Sequence, residues 1–506
     1  MTHPAHHATT RHLGAAYPFA AEPGLGGAGV LVGRDLLGGA FAHDPFELYR
    51  RGILTNPNMV VFGQIGRGKS SFVKTYLWRH AVFGRRAWVV DPKGEYGPLA
   101  REWGVEPVAL RPGGPVRLNP LDAPGSPPAG ASGLDRARAS HDDPAGAARD
   151  DSVRRRAELL VSLSCASLGR NLLPSERTAV ELAVAEISAP GRPEPTLPAV
   201  VDALLDPSAL AAAAVRTDVA GLAADGRQVA LELRRLVAGD LRGMFDGPTS
   251  PGIDLQGPLV VLDLSAVYHS AALGVLMTCA TAWLQAGLAR ASSGSAWAPV
   301  PGSASPGDSG SASPGLPGSA SPGLPGSASP GLSGSAARGI IVVVDEAWAI
   351  LANLGVARWL QSSWKLSRAW GVANVAVLHR VSDLVSAGPA GSEQAGLAQG
   401  LLSDSETRVL YGQPPGEVGR ARELLGLSDT EAELVPHLRR GVALWKVGNR
   451  SFLVQHVLAP SERRLVDTDA AMGASGPVAP AESGTRGSPP GPPAGTGAPG
   501  SRSGPR

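Results

Sequence analysis

The chain has 506 residues, enough for one large α/β unit and a smaller one, since single cores stop growing at roughly 250–300 residues. Lys+Arg 46 against Asp+Glu 44 leaves a net charge of +2, without the electrostatic footprint of a dedicated nucleic-acid binder. The two cysteines, Cys165 and Cys279, lie far apart and exclude a disulfide framework or a cysteine metal site, which fits a reducing cytoplasm.

In chain order, Met1 to His12 carries His3, His6, His7 and His12 with no apolar run behind them, so it reads as a polar terminus and not a secretory signal. Residues 1–43 are left as an N-terminal segment ahead of the core. Asn58–Phe62 and Ala87–Val90 are short β-rich apolar runs, each with the signature of a strand buried on both faces. The linker 123–151 mixes Pro, Gly, Ala and charges without periodicity. From Ser152 to Met244 apolar residues recur at helical spacing, which predicts an all-helical insert over 152–246. Leu259–Leu262 is the next strand, and Ala271–Ala289, rich in Ala, Gly and Thr between two strands, reads as a helix packed on the sheet and not as a membrane span.

An eight-residue unit then repeats from Gly302 as GSASPGDS, GSASPGLP, GSASPGLP and GSASPGLS within the segment 292–338. With no apolar face to bury, it cannot offset its ordering entropy and is expected to be a flexible loop. Ile340–Val344, Asn374–Leu378 and Arg408–Tyr411 are further central strands, Ser428 with Glu431 forms a capping box after the Gly426 break, and Val442–Val447 with Phe452–Val457 flank a Gly448-Asn449 turn as a hairpin. The tail 472–506 repeats the Gly/Pro/Ser bias. The whole predicts an α/β fold with a mainly parallel sheet, its core in three parts, 44–122, 247–291 and 339–471.

Gly63-Gln-Ile-Gly66-Arg-Gly68-Lys69-Ser70 matches G-x-x-x-x-G-K-[ST] and lies between a predicted strand and a helical run reaching about Phe83. Such a loop, continued by Ser71, lets backbone N–H groups surround phosphates at a helix N-terminus. Lys69 then reaches the β- and γ-phosphates and the Ser70 hydroxyl takes a place on Mg²⁺. The strand Ile340–Val344 ends in Asp345-Glu346 at the ligand-binding edge of a parallel sheet. Asp345 is read as the Mg²⁺ residue and Glu346 as the general base for the attacking water, in an ATPase. Trp348, Trp359, Trp364 and Trp370 have spacings that make no single stripe and read as packing residues, not as a base-stacking platform.

A third signal is Asp91-Pro-Lys93-Gly-Glu95-Tyr, followed by Asn119-Pro-Leu-Asp122. The series GxxxxGKS, DPKGEY, NPLD and a strand ending in DEAW resembles the conjugative-transfer and type IV secretion ATPases of the HerA–FtsK superfamily, over about Asp44 to Val466. The resemblance implies a RecA-like fold with Asp91, Lys93 and Glu95 beside the nucleotide. It also implies a homo-hexamer with ATP between subunits, membrane proteins of a transfer apparatus as partners, and a cytoplasmic place at the inner face of the membrane. It calls for an arginine entering the neighbour's site, for which Arg368 is the first candidate and Arg439 and Arg440 the next. Where the family has a γ-phosphate-sensing glutamine this chain has His379-Arg380, and only 62 residues precede Gly63, where the secretion ATPases carry a long N-terminal domain. Two alternatives stay open: a DNA translocase or partition motor of the same superfamily, and a weakly hydrolysing nucleotide-dependent scaffold.

Overall fold

The computed structural model describes residues 24–27, 29–122, 145–253, 255, 257–270, 272–293, 339–351, 357, 360–361, 364–385 and 393–466. The N-terminal histidines, the linker up to residue 144, the octapeptide repeat, Trp359 and the tail lie outside the described residues.

One eleven-stranded sheet organises the chain. Its strands are β1 (Val30–Asp35), β2 (Ala40–His43), β3 (Met59–Phe62), β4 (Arg86–Asp91), β5 (Val108–Ala109), β6 (Leu259–Asp263), β7 (Ile340–Val344), β8 (Val372–Leu378), β9 (Thr407–Tyr411), β10 (Val442–Val447) and β11 (Arg450–His456), in the order β2-β1-β11-β10-β9-β3-β8-β7-β4-β6-β5. From β9 to β5 every pairing is parallel, and from β9 out to β2 every pairing is antiparallel. This is the α/β, RecA-like architecture of a P-loop protein, with an antiparallel extension at one side.

Each central strand feeds two cores because its residues alternate between faces. Val60, Phe62, Trp88 and Val90 join one buried cluster; Met59, Val61, Ala87 and Val89 join the other. Parallel strands covered on both faces are apolar throughout for this reason. The hairpin β10–β11 turns at Gly448-Asn449, with Gly448 at φ 57° in the left-handed region that a two-residue turn needs. The strands β1 and β2 were not predicted. The first of them alternates buried and exposed residues, and β2 pairs with β1 alone at the edge.

One face carries the helices α4 (Ala145–Leu168), α5 (Pro174–Ile187), α6 (Leu197–Leu205), α7 (Ala209–Ala214) and α8 (Val219–Val237), with α9 (Leu273–Ser293) against the sheet. The first begins seven residues before the expected Ser152, inside the stretch read as linker, and α9 is buried along the core. No helix among the described residues is long and apolar enough to cross a membrane. The NPLD turn ties this layer down. Asn119, fully buried, donates to Asp122 at 2.8 Å and to the Pro195 carbonyl at 2.9 Å, and accepts from the Leu121 amide at 3.2 Å. Thr249 donates to Asp122 at 2.7 Å and accepts from the Trp283 indole at 3.0 Å, while Arg156 of α4 donates to the Leu121 carbonyl at 2.7 Å. Asn119→Ala leaves two buried backbone groups unpaired and is expected to cost about 2 kcal/mol, read as a fall of a few degrees in the thermal unfolding temperature.

The opposite face holds α1 (Pro45–Arg50), α2 (Lys69–Ala81) and α3 (Gly97–Glu102) over a core with two buried histidines, His43 and His80, and a half-buried third, His456. His43 bonds the Tyr76 hydroxyl at 2.8 Å, His456 bonds Thr75 at 2.9 Å, and His80 packs edge-on against Tyr76 with ring centroids 4.3 Å apart. Burial holds their pKa values down at about 4 for His43, 3 for His80 and 4 for His456. Below an unfolded value near 6.5 the unfolded chain takes up protons that the folded chain refuses. Stability is therefore intact above that pH and falls between about 6.5 and 4, by about 1.4 kcal/mol per pH unit for each histidine. Thermal unfolding followed from pH 8 to pH 5 is expected to shift steadily downward, and His80→Phe is expected to flatten that dependence.

Candidate functional site

The carboxyl ends of the parallel strands meet at one edge, and the predicted residues are distributed along it. From β3 the chain turns through the phosphate loop into α2. Gly63 has no room for a side chain, because a Cβ there would lie 2.6 Å from Cβ of Tyr411 at the end of β9. Gly66 and Gly68 take φ 78° and 109°, the conformations that leave the loop open. No side chain caps α2 at Gly68, so its first amides, those of Lys69, Ser70 and Ser71, have no intrahelical partner and suit an anion.

Lys69 is 6 % exposed, and its Nζ donates to the carbonyl oxygens of Gly63 and, at 3.1 Å, of Gln64. Burial pulls its pKa down to about 8 against the attraction of Asp345 and Glu346. The third neighbour of Nζ is Nδ1 of His379, 3.3 Å away. This is an anion cradle with its cation in place, and it fits a phosphate chain.

Past β7 come the two acids. Asp345 is buried and accepts from the Glu346 amide at 2.9 Å and the Tyr96 hydroxyl at 3.3 Å. Burial, then Glu346, Asp91 and Glu95, push its pKa up to about 7. Glu346 has φ 53°, a left-handed backbone that costs a non-glycine residue on the order of 1–3 kcal/mol, and the next amide, of Ala347, is tied to the Val377 carbonyl at 3.0 Å.

The strained backbone turns the Glu346 carboxylate into the edge of the sheet. Nε2 of His379 sits 2.8 Å from both of its oxygens, Lys93 pairs with one of them and the Trp348 indole donates to the other. Burial pushes this carboxyl up, but the bonds from His379 and Lys93 outweigh it and hold the pKa at about 2. Lys69, His379, Glu346 and Lys93 thus form one continuous chain of contacts.

The DPKGEY turn leaves β4. Asp91 points inward, its Oδ1 accepting from the amides of Lys93, Gly94 and Glu95 at 3.2, 2.9 and 3.2 Å and its Oδ2 from Tyr96 at 2.9 Å. Its carboxylate shapes the turn, and the turn delivers Lys93 to Glu346, with the Lys93 Nζ 5.8 Å from the Tyr268 ring centroid. Glu95 lies 3.9 Å from Nζ of Lys74 on α2.

Three groups at this edge were not singled out from the sequence: Tyr96, Lys74 and Gln413. Tyr96 was visible as the last letter of DPKGEY, and Lys74 follows Ser70 by four residues, one helical turn along the same face. Gln413, past β9, is 1 % exposed and donates to the His379 carbonyl at 3.4 Å.

Arg368 is exposed on the short helix Ser367–Trp370, which precedes β8, whereas His379 follows it. Seven strand residues at about 3.3 Å each put the two at opposite edges of the sheet, roughly 20 Å apart. Arg439 and Arg440 are exposed beside this chain's own loop, where the Gly441 amide donates to the Arg67 carbonyl at 3.0 Å. Trp364 is buried, and Trp348 and Trp370 are half-buried.

With loop, acids and strand order in place, the architecture can be compared with solved structures. The chain has the fold of VirB4. The structure of VirB4 from Thermoanaerobacter pseudethanolicus matches with a TM-score of 0.60 and 18 % identity, over 87 % of this chain and 99 % of that one. The plasmid coupling protein TrwB lies further off, at a TM-score of 0.48. Its complex with ADP and Mg²⁺ matches at 12 % identity over 85 % of this chain and 90 % of that one, and its complex with the GTP analogue GDPNP at 15 % over 79 % and 86 %. The likeness to VirB4 is one of fold. No protein-family model and no curated protein sequence matches the chain.

If the cradle takes a phosphate chain, Lys69→Ala removes the cation that touches the loop. Nucleotide affinity measured by fluorescence titration is expected to fall at least about 100-fold, equivalent to about 2.7 kcal/mol.

Proposed function

We propose that the chain is a Mg²⁺-dependent ATPase, the motor of a transfer apparatus of the conjugation and type IV secretion kind. The observation that carries the reading is Glu346, a buried carboxylate at a strained backbone position, linked through His379 to the phosphate-loop lysine. The fold of VirB4 and the DPKGEY and NPLD motifs supply the kind of machine.

In this reading the loop amides and Lys69 hold the β- and γ-phosphates. Ser70 and Asp345 are the residues that would hold Mg²⁺, which when bound draws charge off the phosphates. Asp345 fits that part, since among the described residues its hydrogen-bond donors are one amide and one phenol, and burial pushes its carboxyl up to about 7. Glu346 orients water and takes its proton, for which one carboxylate oxygen must leave Lys93 or Trp348. His379 touches both Lys69 and Glu346, so a phosphate that draws Lys69 away also frees His379; this is how it would sense the γ-phosphate in place of the expected glutamine. Arg368 stands too far from this chain's own loop to serve it, so its use is in a neighbour's site, with ATP at the interfaces of a homo-hexamer. Docking on the transfer apparatus places the chain at the cytoplasmic face of the membrane.

A second reading, a nucleotide switch that barely hydrolyses, is favoured by the same carboxylate, because a group held at pKa about 2 by hydrogen bonds from His379 and Lys93 is a weak base. Steady-state ATP hydrolysis by the purified chain decides between them. We expect turnover that Glu346→Gln lowers at least about 100-fold with nucleotide binding intact, and that single- or double-stranded DNA leaves unchanged. Strong stimulation by DNA would make the chain a DNA translocase or partition motor, and bound ATP without turnover would select the switch.

A further inference from the structure

Lys74 is fully buried on α2, and its ammonium has no hydrogen-bond partner among the described residues. An ammonium ion removed from water without acceptors is strongly unfavourable, and an apolar side chain of the same length would fill the space without that cost. What offsets it is charge. The Glu95 carboxylate lies 3.9 Å away, Asp91 and Asp345 lie within electrostatic reach, and the Tyr96 ring centroid is 5.6 Å from Nζ. Tyr96 joins this cation to the acid edge, since its hydroxyl donates to Asp345. Ser70, one turn earlier on the same helix face, is the other residue read as a metal ligand. Lys74 therefore stands behind the pair that would hold Mg²⁺, with its positive end turned toward the same carboxylates.

We propose that Lys74 is an internal cation occupying the electrostatic place of a second charge at the acid edge, closing that edge to free divalent metal so that Mg²⁺ enters only together with nucleotide. The proposal rests on the reading of Ser70 and Asp345 as the Mg²⁺ residues. It agrees with a second observation: among the described residues, no group of three His, Cys, Asp or Glu is arranged to hold a metal, so the protein alone supplies few ligands and phosphate oxygens or water complete any coordination. Glu95, which faces Lys74, and Asp91, which shapes the turn, then act as its positioning carboxylates.

The test uses Mn²⁺ as the probe, followed by electron paramagnetic resonance on the full chain with and without ADP. The parent is expected to bind Mn²⁺ at least tenfold more tightly with ADP than without, and Lys74→Met to bind nucleotide-free Mn²⁺ at least tenfold more tightly than the parent. Lys74→Arg, which keeps the charge, is expected to behave as the parent. Equal nucleotide-free affinities for parent and Lys74→Met would overturn the proposal. Should Lys74→Met fail to fold, Lys74→Gln, which also removes the charge, takes its place with the same expected and overturning outcomes. ADP that does not bind the parent in a separate fluorescence titration would count against the functional reading, while the comparison of parent and Lys74→Met in free Mn²⁺ still decides the role of Lys74.

Discussion

A carboxylate buried to 2 % exposure has to be surrounded by donors, and at Glu346 those donors come from separate strand ends. Lys93 arrives on the turn after β4, His379 on the end of β8 and Trp348 on the helical turn after Glu346 itself. The three strands are consecutive in the sheet, in the order β8-β7-β4, so satisfying one charge and pairing three strands are the same condition. The left-handed backbone at Glu346 is tolerated because these contacts and the Ala347 amide overdetermine it.

The near-neutral composition conceals how charge is spent locally. Three lysines, Lys69, Lys74 and Lys93, and four acids, Asp91, Glu95, Asp345 and Glu346, converge within one edge, yet their surroundings run from the fully buried Lys74 and Asp91 to the partly exposed Glu95. Asp345 is pushed up by burial with few donors, and its neighbour Glu346 is pulled down by many. Adjacent carboxyls separated in this way can take different parts, one suited to a metal and one to a proton, which is how an acid pair divides its labour.

The central sheet was readable because both its faces are buried: apolar runs such as Ile340–Val344 have no polar positions to confuse them. The edge was less so. In β1, Leu31 and Arg34 alternate with buried valines, and pairing to a distant strand leaves no local mark. The linker ran seven residues too far because alanines and charges near Ala145 belong equally to loops and helix ends. At the site, spacing located the loop and the acid pair, but the sequence carries no sign that Asp91 faces its own turn amides or that Lys74 is enclosed, since both depend on which residues distant in the chain arrive beside them. His379 was recognisable only as a departure; its position between Lys69 and Glu346 needed the parallel register of β3, β8 and β7.

The knot at Asn119 bears on mechanics as well as folding. It joins the loop after β5, the segment entering α6, the first helix of the insert and α9 through buried bonds, so the helical layer is gripped at its root from several directions. A layer attached by one flexible crossing would absorb a displacement of the sheet edge as slack. Gripped in this way the layer has little room to slide over the sheet, so a displacement of the strand ends meets the first helix of the insert and α9 at fixed anchor points.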